Sequence, residues 1–365
     1  YMNNKMNFFI NKKISPNLKR IRTLENRDLV NGLRLNRNER VLNYPINIIN
    51  HIFKKDQSYN LAKYPDHTQL YNNVSKFFKI NRKNILLTNG IDGGLKTIFE
   101  TLTKPGDRVC ALYPSYGMYE VFSKIFKTKF IKIKYNLNTF KINKLKLENL
   151  IKKKPKILIL PNPNQPIEDY LEHNYIKKIA QMCKRHNVIL VVDEAYYMFG
   201  SRSAIDLVEK HKNIIILRSF SKSFGLPSVR LGYMVSNKKN KKFFDLFRLT
   251  YESNYLTDTV VNFFLKKTSI VKKYNRSVII GRDLLKKKLK NLGLKTIGGK
   301  SNFLLIIFEN SKITLKIKRS LDRKKIYVRS YKDELSNCLL VTCGPKKIME
   351  KLFREIKINY LKQKK

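Results

Sequence analysis

Arg218-Ser219-Phe220-Ser221-Lys222-Ser223-Phe224-Gly225 follows the apolar run Asn213-Ile214-Ile215-Ile216-Leu217, with Arg230 shortly downstream. The run reads as a buried strand, which puts Lys222 at a strand end between hydroxyl residues. A lysine held out of water there is disfavoured in its charged form, and its amine becomes a usable nucleophile. The hydroxyls and Arg230 supply what a nearby phosphate needs. Lysine plus phosphate cradle suggests pyridoxal phosphate held as a Schiff base. In a chain with 76 lysines and arginines, a strand-end lysine is as readily a solvated one. The surrounding sequence has to decide.

Outward from this stretch, short β-branched runs alternate with amphipathic ones. Strands are expected at 85–87, 109–112, 130–133, 156–160, 188–192, 213–217 and 230–235, with helices at 93–102, 116–126 and 173–186 between them. The runs at 156–160 and 188–192 are continuously apolar, as in a parallel sheet covered on both faces. This alternation predicts an α/β fold, with ligands gathered beyond the carboxyl ends of the strands. After about residue 238 the pattern turns helical, ending in a charged helix near 277–292. Gly298-Gly299 then opens a small α+β unit: strand 302–308, helix 313–321, strands 326–329 and 339–343, helix 346–361. The expected division is an N-terminal arm over 1–45, a large domain over 46–270 and a small domain over 271–365.

Four other expected strand ends carry chemistry-bearing residues. Asp193-Glu194-Ala195-Tyr196 leaves strand 188–192, and its aspartate is either a helix cap or the counter-charge of a buried cation such as a pyridinium nitrogen. Tyr196 stands where its hydroxyl can reach the phenolic oxygen of the same ring. Leu87-Thr88-Asn89-Gly90-Ile91-Asp92-Gly93-Gly94 turns from strand to helix, and the free N–H groups of such a first turn attract an anion. Tyr113-Pro114-Ser115-Tyr116-Gly117-Met118-Tyr119 brings aromatics that either lie on a planar heterocycle or fill the core. Pro161-Asn162-Pro163-Asn164-Gln165-Pro166 is a rigid loop whose amides either make a turn or donate to a ring oxygen. Singly each is ambiguous. Together they describe one planar, phosphorylated, cationic ligand.

Composition narrows the class. The formal charge of +49 is mostly lysine spread along the whole chain with excess Asn and Ile, which reads as a compositional bias acting on tolerant surface positions. A phosphate-tracking surface shows clustered arginine with interleaved aromatics, so no specific nucleic-acid partner is expected. No apolar run is long enough to span a bilayer, and the N-terminal patch 6–10 lacks a small-residue cleavage site. Cys110, Cys183, Cys338 and Cys343 make no CxxC or Cys/His spacing, which fits a reducing cytoplasmic compartment and no metal centre. Position 1 is Tyr rather than Met, which leaves open a longer polypeptide.

From Leu35-Asn36-Arg37-Asn38-Glu39 through Tyr64-Pro65-Asp66, Pro105-Gly106-Asp107, Asp193-Glu194-Ala195-Tyr196 and Ser219-x-Ser221-Lys222 to Ser301-Asn302-Phe303, the chain resembles the class I/II aminotransferases. These have fold type I among pyridoxal phosphate enzymes, and the histidinol-phosphate aminotransferase branch is the nearest in pattern. The resemblance implies a mostly parallel seven-stranded sheet between helices plus a small α+β domain. It implies that Lys222 is the Schiff-base lysine and proton shuttle, Asp193 the pyridinium partner, Tyr196 the donor to the phenolic oxygen and Tyr116 the ring-stacking aromatic. Ile91, Asp92, Ser219, Ser221 and Arg230 match the phosphate ligands. Tyr64 matches a tyrosine that reaches the phosphate of the partner subunit, implying a homodimer with shared sites.

Two departures concern the substrate. Gln165 stands where the family carries an asparagine that bonds the ring oxygen, and either Gln165 or Asn164 is expected to keep that contact. Leu340 stands where a carboxylate-binding arginine is expected, and leucine cannot make its two parallel bonds. Arg329 matches an arginine used for a substrate phosphate, and Arg37 is an extra cation with either an anion-binding or an arm-to-body role. Asn162 is a further candidate substrate contact. The expectation is an aminotransferase acting on a phosphorylated or otherwise anionic amine and a 2-oxo acid. A decarboxylase of a phospho-amino acid, a phosphonate transaminase and, more remotely, a basic nucleic-acid-binding protein on the same fold are the alternatives.

Overall fold

The computed structural model describes residues 31–53 and 61–363. Two sheets organise them. The larger has strand order β2-β9-β8-β7-β6-β3-β4-β5: β2 (Ile85–Thr88), β3 (Arg108–Tyr113), β4 (Lys129–Asn136), β5 (Lys141–Ile142), β6 (Ile157–Pro161), β7 (Ile189–Asp193), β8 (Ile214–Ser219) and β9 (Gly232–Val235). β8, β7, β6, β3 and β4 run parallel, while β9 lies antiparallel to both β8 and β2. The seven expected strands are all present. An eighth, the two-residue β5, pairs antiparallel with β4 and was too short to show a pattern. β9 begins at Gly232 rather than 230, because Arg230 takes a left-handed conformation (φ 57°) just before it.

The apolar runs now have a physical reason. Alternate residues of each central strand feed opposite cores: Leu158, Leu160, Leu190, Val192, Ile214 and Ile216 on one face, Ile157, Ile159, Val191, Ile215 and Leu217 on the other. Both faces are covered, so both parities are apolar.

The smaller sheet has order β1-β12-β13-β11-β10, from β1 (Leu33–Leu35), β10 (Lys295–Ile297), β11 (Phe303–Ile307), β12 (Ile326–Ser330) and β13 (Cys338–Thr342). β1 and β10 were not among the expected strands; each has three residues. One face, with Leu304, Ile306, Val328, Leu339 and Val341, packs with residues of the long helix Thr268–Asn291 and the helices Ser311–Arg323 and Lys346–Leu361. The other face, with Phe303, Leu305, Cys338 and Leu340, joins the core of the larger sheet. The long helix starts nine residues before the expected 277 and carries the chain from one sheet to the other. Of the expected arm, residues 1–30 lie outside the described residues; residues 33–35 form an edge strand parallel to β12, with Leu35 buried in the small-sheet core.

Candidate active site

The site lies where β2, β3, β6, β7 and β8 end, at their carboxyl edges, as an open α/β sheet requires. At the end of β7, Asp193 is buried. Tyr119 donates its hydroxyl to Oδ2 at 2.7 Å and the Ala195 N–H donates to Oδ1 at 2.9 Å. Burial pushes the Asp193 carboxyl up to about 6, although both hydrogen bonds favour its ionised form. Such a carboxylate is completed by a cation at its open side.

Lys222 lies in the turn after β8, and its Nζ donates to the Arg37 carbonyl at 3.1 Å. Its ammonium is 6.0 Å from the centre of the Tyr196 ring. The segment that supplies Arg37 continues over this turn. The Arg40 guanidinium lies 4.1 Å over Tyr44 and 3.6 Å over Tyr274, and the Tyr44 hydroxyl donates to the Phe224 carbonyl.

A phosphate cradle closes the other side. The helix Gly90–Leu102 starts with no side-chain cap from Asn89, and Gly93 makes the first backbone bond back to Asn89 at 3.1 Å. The N–H groups of Gly90, Ile91 and Asp92 are therefore left for a ligand. Arg230 reaches over this turn so closely that a Cβ at Gly90 would come within 2.9 Å of its Nη2. Gly90 is also left-handed (φ 64°), so glycine is required there twice over. Asp92 Oδ2 lies 3.5 Å from Arg230, and the Tyr116 hydroxyl donates to Asp92 Oδ1 at 2.7 Å. Ser219 Oγ accepts the Ser221 N–H at 3.0 Å, which shapes the turn facing the cradle. A glycine cradle with free N–H groups, an arginine and a buried carboxylate beyond it fit a phosphorylated ring with a protonated nitrogen.

The two loop asparagines bond to neighbouring protein groups. Asn164 gives its amide hydrogens to the carbonyls of Pro114 and Ile167 at 3.1 and 3.0 Å, and Ser115 donates to its Oδ1. Asn162 exchanges two hydrogen bonds with the Leu171 backbone. Both side chains help to hold the buried loop at the end of β6. Gln165 instead donates to the Tyr331 hydroxyl at 3.2 Å. Glu168, next along the loop, accepts from the Lys300 N–H at 2.6 Å and from the Ser301 hydroxyl, tying the loop to the approach to β11.

The substrate side is formed by the small sheet. Leu340 is buried, and Arg329 is its cross-strand partner on β12. Directly opposed residues share a face, so Arg329 presents its exposed guanidinium from the position beside the one where the family arginine was expected. It lies 5.2 Å over the ring of Tyr331. Arg37 is exposed on the covering segment. Tyr64 lies apart from these groups. It is largely exposed and stacks on Tyr251 with ring centres 4.5 Å apart.

With this geometry in place, the comparisons with known proteins decide the family. The family described as Aminotransferase class I and II matches residues 31–356. The chain belongs to that family. It is similar to the histidinol-phosphate aminotransferase of Clostridium novyi, 31% identical over 317 residues that cover 86% of this chain and 87% of the relative. It is 30% identical to that of Thermoanaerobacter pseudethanolicus over 287 residues, 76% of this chain and 79% of the relative. The structure of histidinol-phosphate aminotransferase from Sinorhizobium meliloti with pyridoxal-5'-phosphate shares the fold with a TM-score of 0.81 at 20% identity, covering 91% of each chain. That from Clostridium acetobutylicum gives 0.80 at 20% identity, over 90% of this chain and 99% of the other. This aminotransferase thus has the fold of these structures, that of fold type I.

Four polar residues of the aminotransferase site were missed in the sequence. Tyr119 is one helical turn from Tyr116, and that spacing could have paired them. Tyr331 lies just past the end of β12, two residues after Arg329, whose guanidinium lies over its ring. Asn38 and Thr342 meet from opposite ends of the chain, and no local signal announces them.

Proposed function

We propose that this aminotransferase moves an amino group between an amine with an anionic tail, of the histidinol-phosphate type, and a 2-oxo acid. The observation that carries the substrate reading is the Arg329–Leu340 pair: one guanidinium faces the site from this stretch of sheet, beside an apolar wall. Arg329, joined by Arg37 from the covering segment, holds the tail through charge-assisted bonds. The names of the curated relatives support a phosphorylated amine, and neither a decarboxylase nor a nucleic-acid-binding protein is favoured among them. A phosphonate tail offers the same tetrahedral oxyanion and is the second reading.

In this reading Ile91, Asp92, Ser219, Ser221 and Arg230 hold the cofactor phosphate, and Tyr116 lies against the ring. Asp193 keeps the ring nitrogen protonated, and Tyr196 with Gln165 donates to the ring oxygen. Bound there, pyridoxal phosphate supplies an electron sink for the carbanion at the substrate α-carbon. Lys222 would hold the cofactor, and its amine would move a proton at that α-carbon. Phe303, edge-on to Tyr196 with ring centres 5.0 Å apart, and Leu340 keep water from that atom.

The division into arm, large domain 46–270 and small domain 271–365 belongs to the proposal, as does a homodimer. Tyr64 and Tyr251 form an exposed stacked pair, and Leu246, Leu249 and Leu256 are exposed on the same stretch as Tyr251. A second copy would cover these residues and receive Tyr64 at its cradle. Cytoplasmic placement fits four buried, unpaired cysteines. The decisive experiment presents the cofactor-loaded protein with matched amines bearing phosphate, phosphonate, carboxylate or no anion, and follows amino transfer to the cofactor. Equal transfer from the amine without an anion would overturn the reading, and carbon dioxide release without amino transfer would make the protein a decarboxylase.

A further inference from the structure

Asn38 is held at the meeting point of the two sheets. It is buried, in a left-handed conformation (φ 53°) that asparagine tolerates. Its main-chain N–H donates to Thr342 Oγ1 at 2.8 Å, and its carbonyl accepts from Asn302 Nδ2 at 3.1 Å. The Thr342 hydroxyl already accepts that N–H, so its own proton goes to Asn38 Oδ1 at 3.2 Å. With Oδ1 fixed as the acceptor, Nδ2 is left pointing at the Tyr196 hydroxyl, 2.9 Å away. A phenol oxygen that receives an N–H keeps its own proton to give. Among the described residues no acceptor takes it.

We propose that Asn38, locked by Thr342, is a positioning residue that commits the Tyr196 hydroxyl to donate its proton to the ring oxygen of the cofactor. The proposal rests on the role given to Tyr196 above. Receiving a hydrogen bond makes the phenol a stronger donor, and donation favours the ionised ring oxygen. That lowers the pH at which the lysine-bound cofactor loses its proton. The other groups near Tyr196 are Asp193 on its own turn, Lys222 from the turn after β8, and Arg329 and Tyr331 from β12. The variants below leave all of them in place.

The test follows the visible absorption band of the cofactor-loaded protein against pH. Tyr196→Phe removes the donor and is expected to raise the midpoint by about one pH unit. Asn38→Asp offers the phenol only acceptors, so its midpoint is expected to rise at least as far. Asn38→Gly keeps the left-handed backbone and should raise the midpoint by a smaller amount. Thr342→Val, which releases the lock without touching residue 38, should do likewise. The double variant Asn38→Gly/Tyr196→Phe should titrate with Tyr196→Phe alone, because Asn38 acts through the hydroxyl. Unmoved midpoints in both Asn38 variants beside a shifted Tyr196→Phe overturn the proposal, as does an additive shift in the double variant. An unmoved Tyr196→Phe overturns the role of Tyr196 itself.

Discussion

The two halves of the site are built by different means. The cofactor half consists of consecutive strand ends, with Asp193 and Tyr196 after β7, Ser219 to Lys222 after β8, and Gly90 to Asp92 after β2. Within each set the residues are neighbours in sequence, so the backbone alone places them. The substrate half consists of contacts between distant segments: Arg329 beside Leu340, and Tyr331 joined to Gln165 across 166 residues. Parallel strands impose where the first set must point. Cross-strand register and the packing of one sheet on another decide the second. A change in the cofactor half should therefore remove chemistry, whereas a change in the substrate half should alter selection or packing.

The largest effect is expected at Lys222. Lys222→Ala should lower amino transfer by about 10⁴-fold or more in single-turnover kinetics, because nucleophile and proton shuttle are lost together. Cofactor should still bind through its phosphate. Residual transfer near the wild-type rate would show that the chemistry is not centred on this strand end.

Leu340→Arg tests the other half. It buries a guanidinium opposite Arg329 and should destabilise the fold by about 3–5 kcal/mol in urea denaturation. A folded Leu340→Arg protein with improved affinity for plain 2-oxo acids would instead show that this face still reads two anions.

Asp193 gives a pH-dependent effect of intermediate size. Its folded pKa of about 6 lies above the ordinary carboxylate value of 3.8, so ionising it costs the folded state more. The penalty is absent at low pH, grows between about pH 4 and 6 and is complete above. Cofactor-free Asp193→Asn should therefore be more stable than wild type by about 3 kcal/mol at pH 8, with the gap closing toward pH 4. A gap that does not change with pH would contradict the buried-carboxylate account. Tyr331→Phe should show the smallest effect, a rise in KM of about 3- to 10-fold with kcat kept, as Gln165 loses one hydrogen bond.

The same contrast explains what could be read from the sequence. Lys222 and Asp193 stood out because each comes after an apolar run that two-sided burial makes conspicuous, and Arg230 because it lies shortly downstream of Lys222. The asparagines at 162 and 164 show where sequence alone is ambiguous. An amide in a ligand loop looks alike whether it faces the ligand or ties the loop, and here both bond to backbone groups. β1 and β10, with three residues each, are too short to carry a period. The segment before β1, residues 1–30, lies outside the described residues.

The central claim is that Arg329 reads an anionic tail while the strand ends perform a reaction indifferent to it. The most direct measurement is a double cycle of single-turnover amino transfer: wild type and Arg329→Ala, each with a phosphorylated amine and its dephosphorylated counterpart. The predicted result is a loss of about 10²-fold or more in apparent affinity for the phosphorylated amine alone, as expected for a charge-assisted pair. Equal losses for both amines, or none for either, would contradict the claim.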